Sequence, residues 1–217
     1  MQINFIQCAM RKIKVCGLIN PLNIRQVTSL RIEMAGFIFY PDSRRYVGEN
    51  FQKATMDLVP VYISKVGVFV DEDPDTVLSK VSEYELDYVQ LHGSETADEC
   101  EFLFSAGVKI IKAFSVDEDF DFSQTTEYEN NCELFLFDTK TINHGGSGIK
   151  FDWNLLSNYK GKKQYILSGG IGMEDAEQIK NLKLDLCWGF DLNSKFETEP
   201  GIKDAIMLDT FISEIHV

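Results

Sequence analysis

The sequence predicts an α/β fold, a single (β/α)8 barrel of the TIM type, on three observations. Short apolar runs rich in β-branched and aromatic residues alternate with amphipathic helical stretches, and eight such pairs follow one another along the 217 residues. The apolar runs are continuous, as in strands buried on both faces of a parallel sheet, and nothing reads as an internal antiparallel pairing. Hydrophobic residues make up 44% and charged residues 25%, with no low-complexity run or linker at which to divide the chain, so residues 1–217 read as one domain. A flavodoxin-like doubly wound sheet is the runner-up, but its usual five or so strands leave too many over.

In chain order, the first strand runs from about Lys12 to Cys16. Its helix opens after Asn20-Pro21, where Asn caps the free N–H groups and Pro suits the first turn. Leu22, Val27, Leu30 and Met34 follow at roughly helical spacing. Strand two is Gly36 to Tyr40, ended by Pro41-Asp42-Ser43, and a helix is expected from Gly48 to the mid-fifties. Lys65 to Val70 makes strand three, with a helix starting at Asp73-Pro74. Tyr88 to Gly93 is strand four with its loop, and the helix opening around Ser94, Ala97 and Asp98 ends near Gly107. Val108 to Phe114 is strand five, and the acidic crossover from Asp117 to Asn131 should be short or irregular.

Leu134 to Asp138 is strand six, a fully apolar run closed by a carboxylate and followed by Gly145-Gly146-Ser147-Gly148. Phe151 to Tyr159 is its helix. Gln164 to Gly170 is strand seven with a glycine turn, and residues 174–182 form its helix. Leu186 to Asp191 is strand eight, and Pro200 to Ile215 is the last helix.

Charge and cysteine content narrow the function. A net charge of −13 repels nucleic acid and anionic membranes, so a small anionic ligand would need a local electropositive pocket. Five cysteines, with no Cys-x-x-Cys pair and three histidines, argue against structural zinc or a disulfide framework and fit a reducing cytoplasm. The first ten residues lack a basic segment before an apolar core, and no run of about 18 apolar residues exists, so neither a signal peptide nor a membrane span is expected.

In a barrel of this type the chemistry lies at the C-terminal strand ends. Those positions hold Cys16, Tyr40 with Arg45 beyond it, Asp71, His92, Phe114, Asp138, Ser168-Gly169-Gly170, and Asp191 with Asn193-Ser194. For five of these features two readings stand. Cys16 is either an inert buried cysteine or a partly exposed thiol in an electropositive setting that lowers its pKa and makes thiolate available. Asp138 either caps a loop or pairs with Lys140, or, partly buried, keeps a proton for general acid work. His92 is either a hydrogen-bonded structural residue or a catalyst. Arg45 is either a solvated loop residue or a bidentate grip on a carboxylate. The Gly169-Gly170 and Asn193-Ser194 turns either only reverse the chain or cradle a phosphate on backbone N–H groups.

The motifs Lys14-Val15-Cys16-Gly17-Leu18, Gly36-Phe37-Ile38-Phe39-Tyr40-Pro41 with Ser43, Arg45 and Tyr46, and Val66-Gly67-Val68-Phe69-Val70 are followed by Val89-Gln90-Leu91-His92-Gly93 and Asp138-Thr139 with Gly145 to Gly148. Leu167-Ser168-Gly169-Gly170 and Pro200-Gly201-Ile202-Lys203-Asp204 complete the series. In this order they resemble the phosphoribosylanthranilate isomerase family of tryptophan biosynthesis, from about Lys12 to the last helix. The resemblance implies an Amadori rearrangement, from an aminoaldose phosphate to an aminoketose. It also implies Cys16 as general base, Asp138 as general acid, and Arg45 on the anthranilate carboxylate. The phosphate would fall on Gly169, Gly170, Asn193 and Ser194. No metal or redox cofactor is implied. The expected partner is a small phosphorylated substrate, and the oligomeric state stays open between monomer and homodimer.

Two departures from the family pattern bear on this. Lys195 stands where many members have a glycine; a positive φ there would cost about 1 kcal/mol, or its ammonium would add a phosphate contact. Residues 1–11 have no counterpart and read as a frayed extension, and Gly145 to Gly148 reads as a mobile cover over the acid. Two alternatives remain: a barrel that binds a phosphorylated ligand without turnover, and the sugar-phosphate isomerase of histidine biosynthesis. The latter uses two aspartates, which Cys16 opposes.

Overall fold

A computed structural model describes residues 11–140, 150–182 and 185–216. Eight parallel strands close into a barrel in sequence order: β1 (Lys12–Val15), β2 (Met34–Ile38), β3 (Ser64–Phe69), β4 (Tyr88–Leu91), β5 (Ile110–Val116), β6 (Leu134–Thr139), β7 (Tyr165–Leu167) and β8 (Cys187–Leu192). Pairing of β1 with β8, Lys14 opposite Asp191, completes the closure.

Side chains alternate between two cores, as the strand period requires. One set, including Met34, Val66, Ile111, Ala113, Leu134, Leu136 and Ile166, fills the barrel interior. The other, including Val15, Phe37, Val89, Phe135, Phe137, Leu167 and Phe190, packs outward under the helices. This double burial is why the strands read as unbroken apolar runs.

Four of the helices are α1 (Pro21–Thr28), α2 (Lys53–Met56), α3 (Pro74–Tyr84) and α4 (Ala97–Ser105). Asn20 Oδ1 caps α1 by accepting from Leu22 N (3.0 Å) and Asn23 N (3.1 Å). Asp73 caps α3, while α4 starts from a Thr96–Glu99 capping box rather than at Ser94. The second helix is a single turn, shorter than its sequence suggests: it opens only at Lys53, and the residues before it form a separate turn in which Phe51 N donates to Gly48 O at 3.3 Å.

The crossovers after β5 and β6 are 3-10 turns, Phe122–Tyr128 and Trp153–Asn158. Rings stand in for the missing helical bulk: Phe122 lies 5.3 Å and Tyr159 5.2 Å from Phe137, centroid to centroid. After β7, a turn at Met173–Asp175 leads into α5 (Ala176–Asn181).

The C-terminal segment departs most from the sequence reading. Residues 200–204 are not helical. Glu197–Glu199 (β9) and Ile202–Lys203 (β10) form an antiparallel hairpin, turned by Gly201 at φ +86°, and the last helix, α6, spans Ala205–Ile215 with Asp204 as its cap. The expectation of no internal antiparallel pairing therefore fails here. The hairpin is too short to show a period-2 pattern, and Pro200-Gly201 reads equally well as a helix start.

Candidate active site

The C-terminal mouth of the barrel brings Cys16, Arg45, His92, Asp138, Gly169 and Asn193 to one end of the fold, on the loops or last residues of β1, β2, β4, β6, β7 and β8. Gly145 to Gly148 lie outside the described residues, so their reading as a cover is not addressed by this structure.

Cys16 follows β1 directly, its N–H donating to Leu192 O at 3.0 Å. Its residue exposure is 3%, so of the two readings of the thiol, buried or partly exposed, the structure has the buried one. Burial pushes the thiol pKa up rather than down, and the nearby Lys14 ammonium opposes that rise. The thiol is closely walled: a Cβ at Gly36 would sit 2.9 Å from Cys16 Sγ and 3.1 Å from its Cα.

Beneath it, Lys14 is fully buried, with Nζ 2.9 Å from Asp191 Oδ2. Burial opposes protonation of Lys14, but Asp191 and Cys16 outweigh it and raise its pKa. Burial raises the Asp191 carboxyl, with Lys14 opposing. Asp191 Oδ1 is buried without a hydrogen-bond partner.

Asp138, the penultimate residue of β6, does not pair with Lys140, which instead bonds Asp117. Asp138 Oδ1 accepts from Thr139 N at 2.7 Å, and Oδ2 lies 3.3 Å from His92 Nε2. His92 Nδ1 lies 2.7 Å from Gln90 Nε2. With that amide donating, Nδ1 is the acceptor and the imidazole proton sits on Nε2, facing Asp138. The His92 ring thus links Gln90 to the Asp138 carboxylate.

Arg45 is not a solvated loop residue. Its Nε donates to Glu197 Oε1 (2.8 Å) and Oε2 (3.0 Å), and Nη2 donates to Oε2 (2.7 Å). The bidentate geometry open to Arg45 is used on a carboxylate of the protein itself, Glu197. Glu197 also accepts from Lys203 Nζ at 2.6 Å and Gly201 N at 3.0 Å. Burial raises the Glu197 carboxyl, yet Arg45 and Lys203 together hold it below its usual value. Lys203, itself buried, also donates to Asn193 Oδ1 at 2.6 Å. Gly17, at φ +79°, lets this group close up, since a Cβ there would meet Arg45 Cδ at 2.7 Å and Asn193 Oδ1 at 3.0 Å.

Gly169 and Gly170 adopt φ +92° and +66°, both left-handed, and a side chain on Gly169 would strike Thr139 and Asp138. The β7 turn thus lies directly against the acid. Ser194 begins a 3-10 turn, Ser194–Phe196. Lys195 is exposed within that turn and is not among the positive-φ residues, so the strain considered for it does not arise.

Sequence reasoning did not assign roles to Lys14, Gln90, Glu197 or Lys203. Lys14 carried a usable signal, being a charge two residues before Cys16 in an apolar strand and so on the same face. Lys203 stood within the Pro200 to Asp204 motif of the resemblance, but nothing in the sequence showed that it pairs with Glu197, because only the hairpin brings the two together. Among the described residues, no cluster of three or more His, Cys, Asp or Glu could hold a metal ion, and no helix is long and apolar enough to cross a membrane.

The model of the N-(5'-phosphoribosyl)anthranilate isomerase family matches residues 13–214. The chain is 47% identical over 205 residues to the N-(5'-phosphoribosyl)anthranilate isomerase of Parabacteroides distasonis, covering 94% of this chain and 92% of that one. A crystal structure of phosphoribosyl anthranilate isomerase from Thermotoga maritima superposes with a TM-score of 0.84 at 31% identity, covering 95% of this chain and 98% of that one. Another, in complex with reduced 1-(o-carboxyphenylamino)-1-deoxyribulose 5-phosphate, gives 0.81 at 28% identity over 95% and 98% of the two chains.

Proposed function

The chain belongs to the N-(5'-phosphoribosyl)anthranilate isomerase family, and from that premise we propose that Cys16 is the general base and Asp138 the general acid of its isomerisation. The reaction converts N-(5-phosphoribosyl)anthranilate to 1-(2-carboxyphenylamino)-1-deoxyribulose 5-phosphate. Asp138 gives its proton to the furanose ring oxygen as the C1′–O bond breaks, and the anthranilate nitrogen supplies the electron pair that makes the Schiff base. The Cys16 thiolate then takes the proton from C2′, and the C2′–H pair moves toward the positive nitrogen to give an enolamine. Tautomerisation of the enolamine yields the ketose.

The observation that carries this reading is the placement of a thiol and a carboxyl at one barrel mouth, each beside a proton-handling neighbour. The imidazole N–H of His92, 3.3 Å from Asp138 Oδ2, supports the carboxylate left once the proton has gone. Burial makes the Cys16 thiolate scarce but strongly basic, which suits abstraction of a weakly acidic C–H proton.

Substrate binding follows the same map. Arg45 meets the anthranilate carboxylate through the side of the guanidinium that Glu197 does not occupy. Gly169 and Gly170, both left-handed and without side chains, would supply backbone N–H groups to the phosphate, together with Asn193 and Ser194 of the turn after β8.

The test is turnover of N-(5-phosphoribosyl)anthranilate, followed by loss of its fluorescence, in Cys16→Ser and Asp138→Asn. Each variant should lose at least about a hundredfold in kcat. Undiminished turnover in either variant removes the role assigned to that residue.

A further inference from the structure

We propose that Lys14, anchored by Asp191, is a positioning residue for Cys16, its buried ammonium serving as the counter-charge of the thiolate. This rests on the reading of Cys16 as the base.

Lys14 and Cys16 are two residues apart at the end of β1, so both face the barrel interior. Lys14 is 0% exposed, and water cannot solvate its charge, so the anions it meets must be the protein's own. Two are in reach. Asp191 is its register partner on β8, with Oδ2 at 2.9 Å; Cys16, two residues on along the same face and also buried, is the other, and its thiol and the ammonium act on each other electrostatically.

The surroundings of the thiol leave Lys14 as the principal cation. β1 supplies Lys14, β8 supplies Asp191, and the hairpin supplies Lys203. β2 presents Gly36, which carries no charge. Arg45 packs on the adjacent Gly17 but is paired with Glu197, which also binds Lys203. Asp191 in turn feels Asp138 and His92 from the other half of the site. One cation is therefore shared between a carboxylate and a thiol. With the thiol protonated, Lys14 and Asp191 form a neutral pair. Once the thiol loses its proton, the same ammonium divides its attraction between two anions, so the ease of ionising Cys16 depends on both partners.

A purely structural ion pair, closing β1 onto β8, would stabilise the barrel without affecting the thiol. The two cases separate by titrating Cys16 directly. The measurement is the ultraviolet absorbance of the thiolate against pH, taken as the difference between each protein and its Cys16→Ser counterpart. In Lys14→Gln the midpoint should rise by at least about one pH unit, tenfold less thiolate at any pH below it. In Asp191→Asn it should fall, because the thiolate replaces the carboxylate as the counter-ion of Lys14.

An unchanged midpoint in Lys14→Gln, or an upward shift in Asp191→Asn, overturns the proposal. Should a single variant fail to fold by circular dichroism, Lys14→Met combined with Asp191→Asn leaves no unpaired charge. Its midpoint should lie above that of Asp191→Asn, which keeps Lys14, and one no higher overturns the proposal equally. Retained turnover in Cys16→Ser would remove the base reading while leaving this titration standing, so the two failures are distinguishable.

Discussion

Glu197→Gln tests how the Arg45 side of the site is held. The native carboxylate, 5% exposed at its side chain, is bound by Arg45, Lys203 and Gly201 N. Glutamine keeps the volume but removes the charge, and its NH2 faces donors on every side. Leaving one partner of a buried ion pair without its counter-charge costs about 3–5 kcal/mol. Arg45, 12% exposed, recovers some hydration, which places the cost near the lower end of that range, at about 3 kcal/mol. For a chain of this length each kcal/mol moves the melting temperature by about 2–4 °C, so Tm should fall by about 6–12 °C at pH 7.

The pH dependence has a definite sign. The folded-state carboxyl lies below its unfolded value of about 4.3, so the pair stabilises the fold above that pH and loses its contribution as pH falls through the lower folded value. The Tm gap between native protein and variant should be full at pH 7 and close on acidification below about pH 4. Thermal melts by circular dichroism across pH 3–7, a range spanning the carboxyl values, measure it. KM at pH 7 should rise by about tenfold as Arg45 loses its fixed orientation. A Tm gap below about 2 °C at pH 7, or one that widens in acid, refutes the reasoning.

Two further predictions concern the reacting pair. Gly36→Ala forces a methyl to within 2.9 Å of Cys16 Sγ. It should cost about 1–3 kcal/mol in stability and lower kcat by about tenfold or more as the thiol is displaced; an alanine variant with native kcat would show that Cys16 has room to spare. His92→Ala removes the N–H facing Asp138 and should reduce kcat by about 10–100-fold while Cys16 titrates as before. Loss as deep as in Asp138→Asn would instead make His92 the acid itself.

Barrel architecture was legible because doubly buried parallel strands write an apolar run at each of eight places, and that pattern does not depend on long-range contacts. Local caps were legible for the same reason: Asn20-Pro21 and Asp73-Pro74 act on N–H groups within three residues. Boundaries moved where tertiary packing overrode local preference. The aromatic cluster around Phe137 supports a 3-10 turn in place of the helix expected over Phe151 to Tyr159, and the hairpin takes residues 200–203, which read locally as helix, whereas the short, irregular crossover expected between Asp117 and Asn131 is found as the 3-10 turn Phe122–Tyr128.

By itself, the sequence determined the fold class, the strand ends on which Cys16 and Asp138 stand, and the family. Those follow from periodicity and motif order along one dimension. Only the tertiary structure decided the charge environment, because a pKa or an ion pair depends on which groups converge from distant strands. Lys14 meets Asp191 across 177 residues of chain, and Arg45 meets Glu197 across 152. The same convergence decided between two readings left open for Cys16: the strand-end cysteine is buried rather than partly exposed, and its burial raises the thiol pKa against the pull of Lys14.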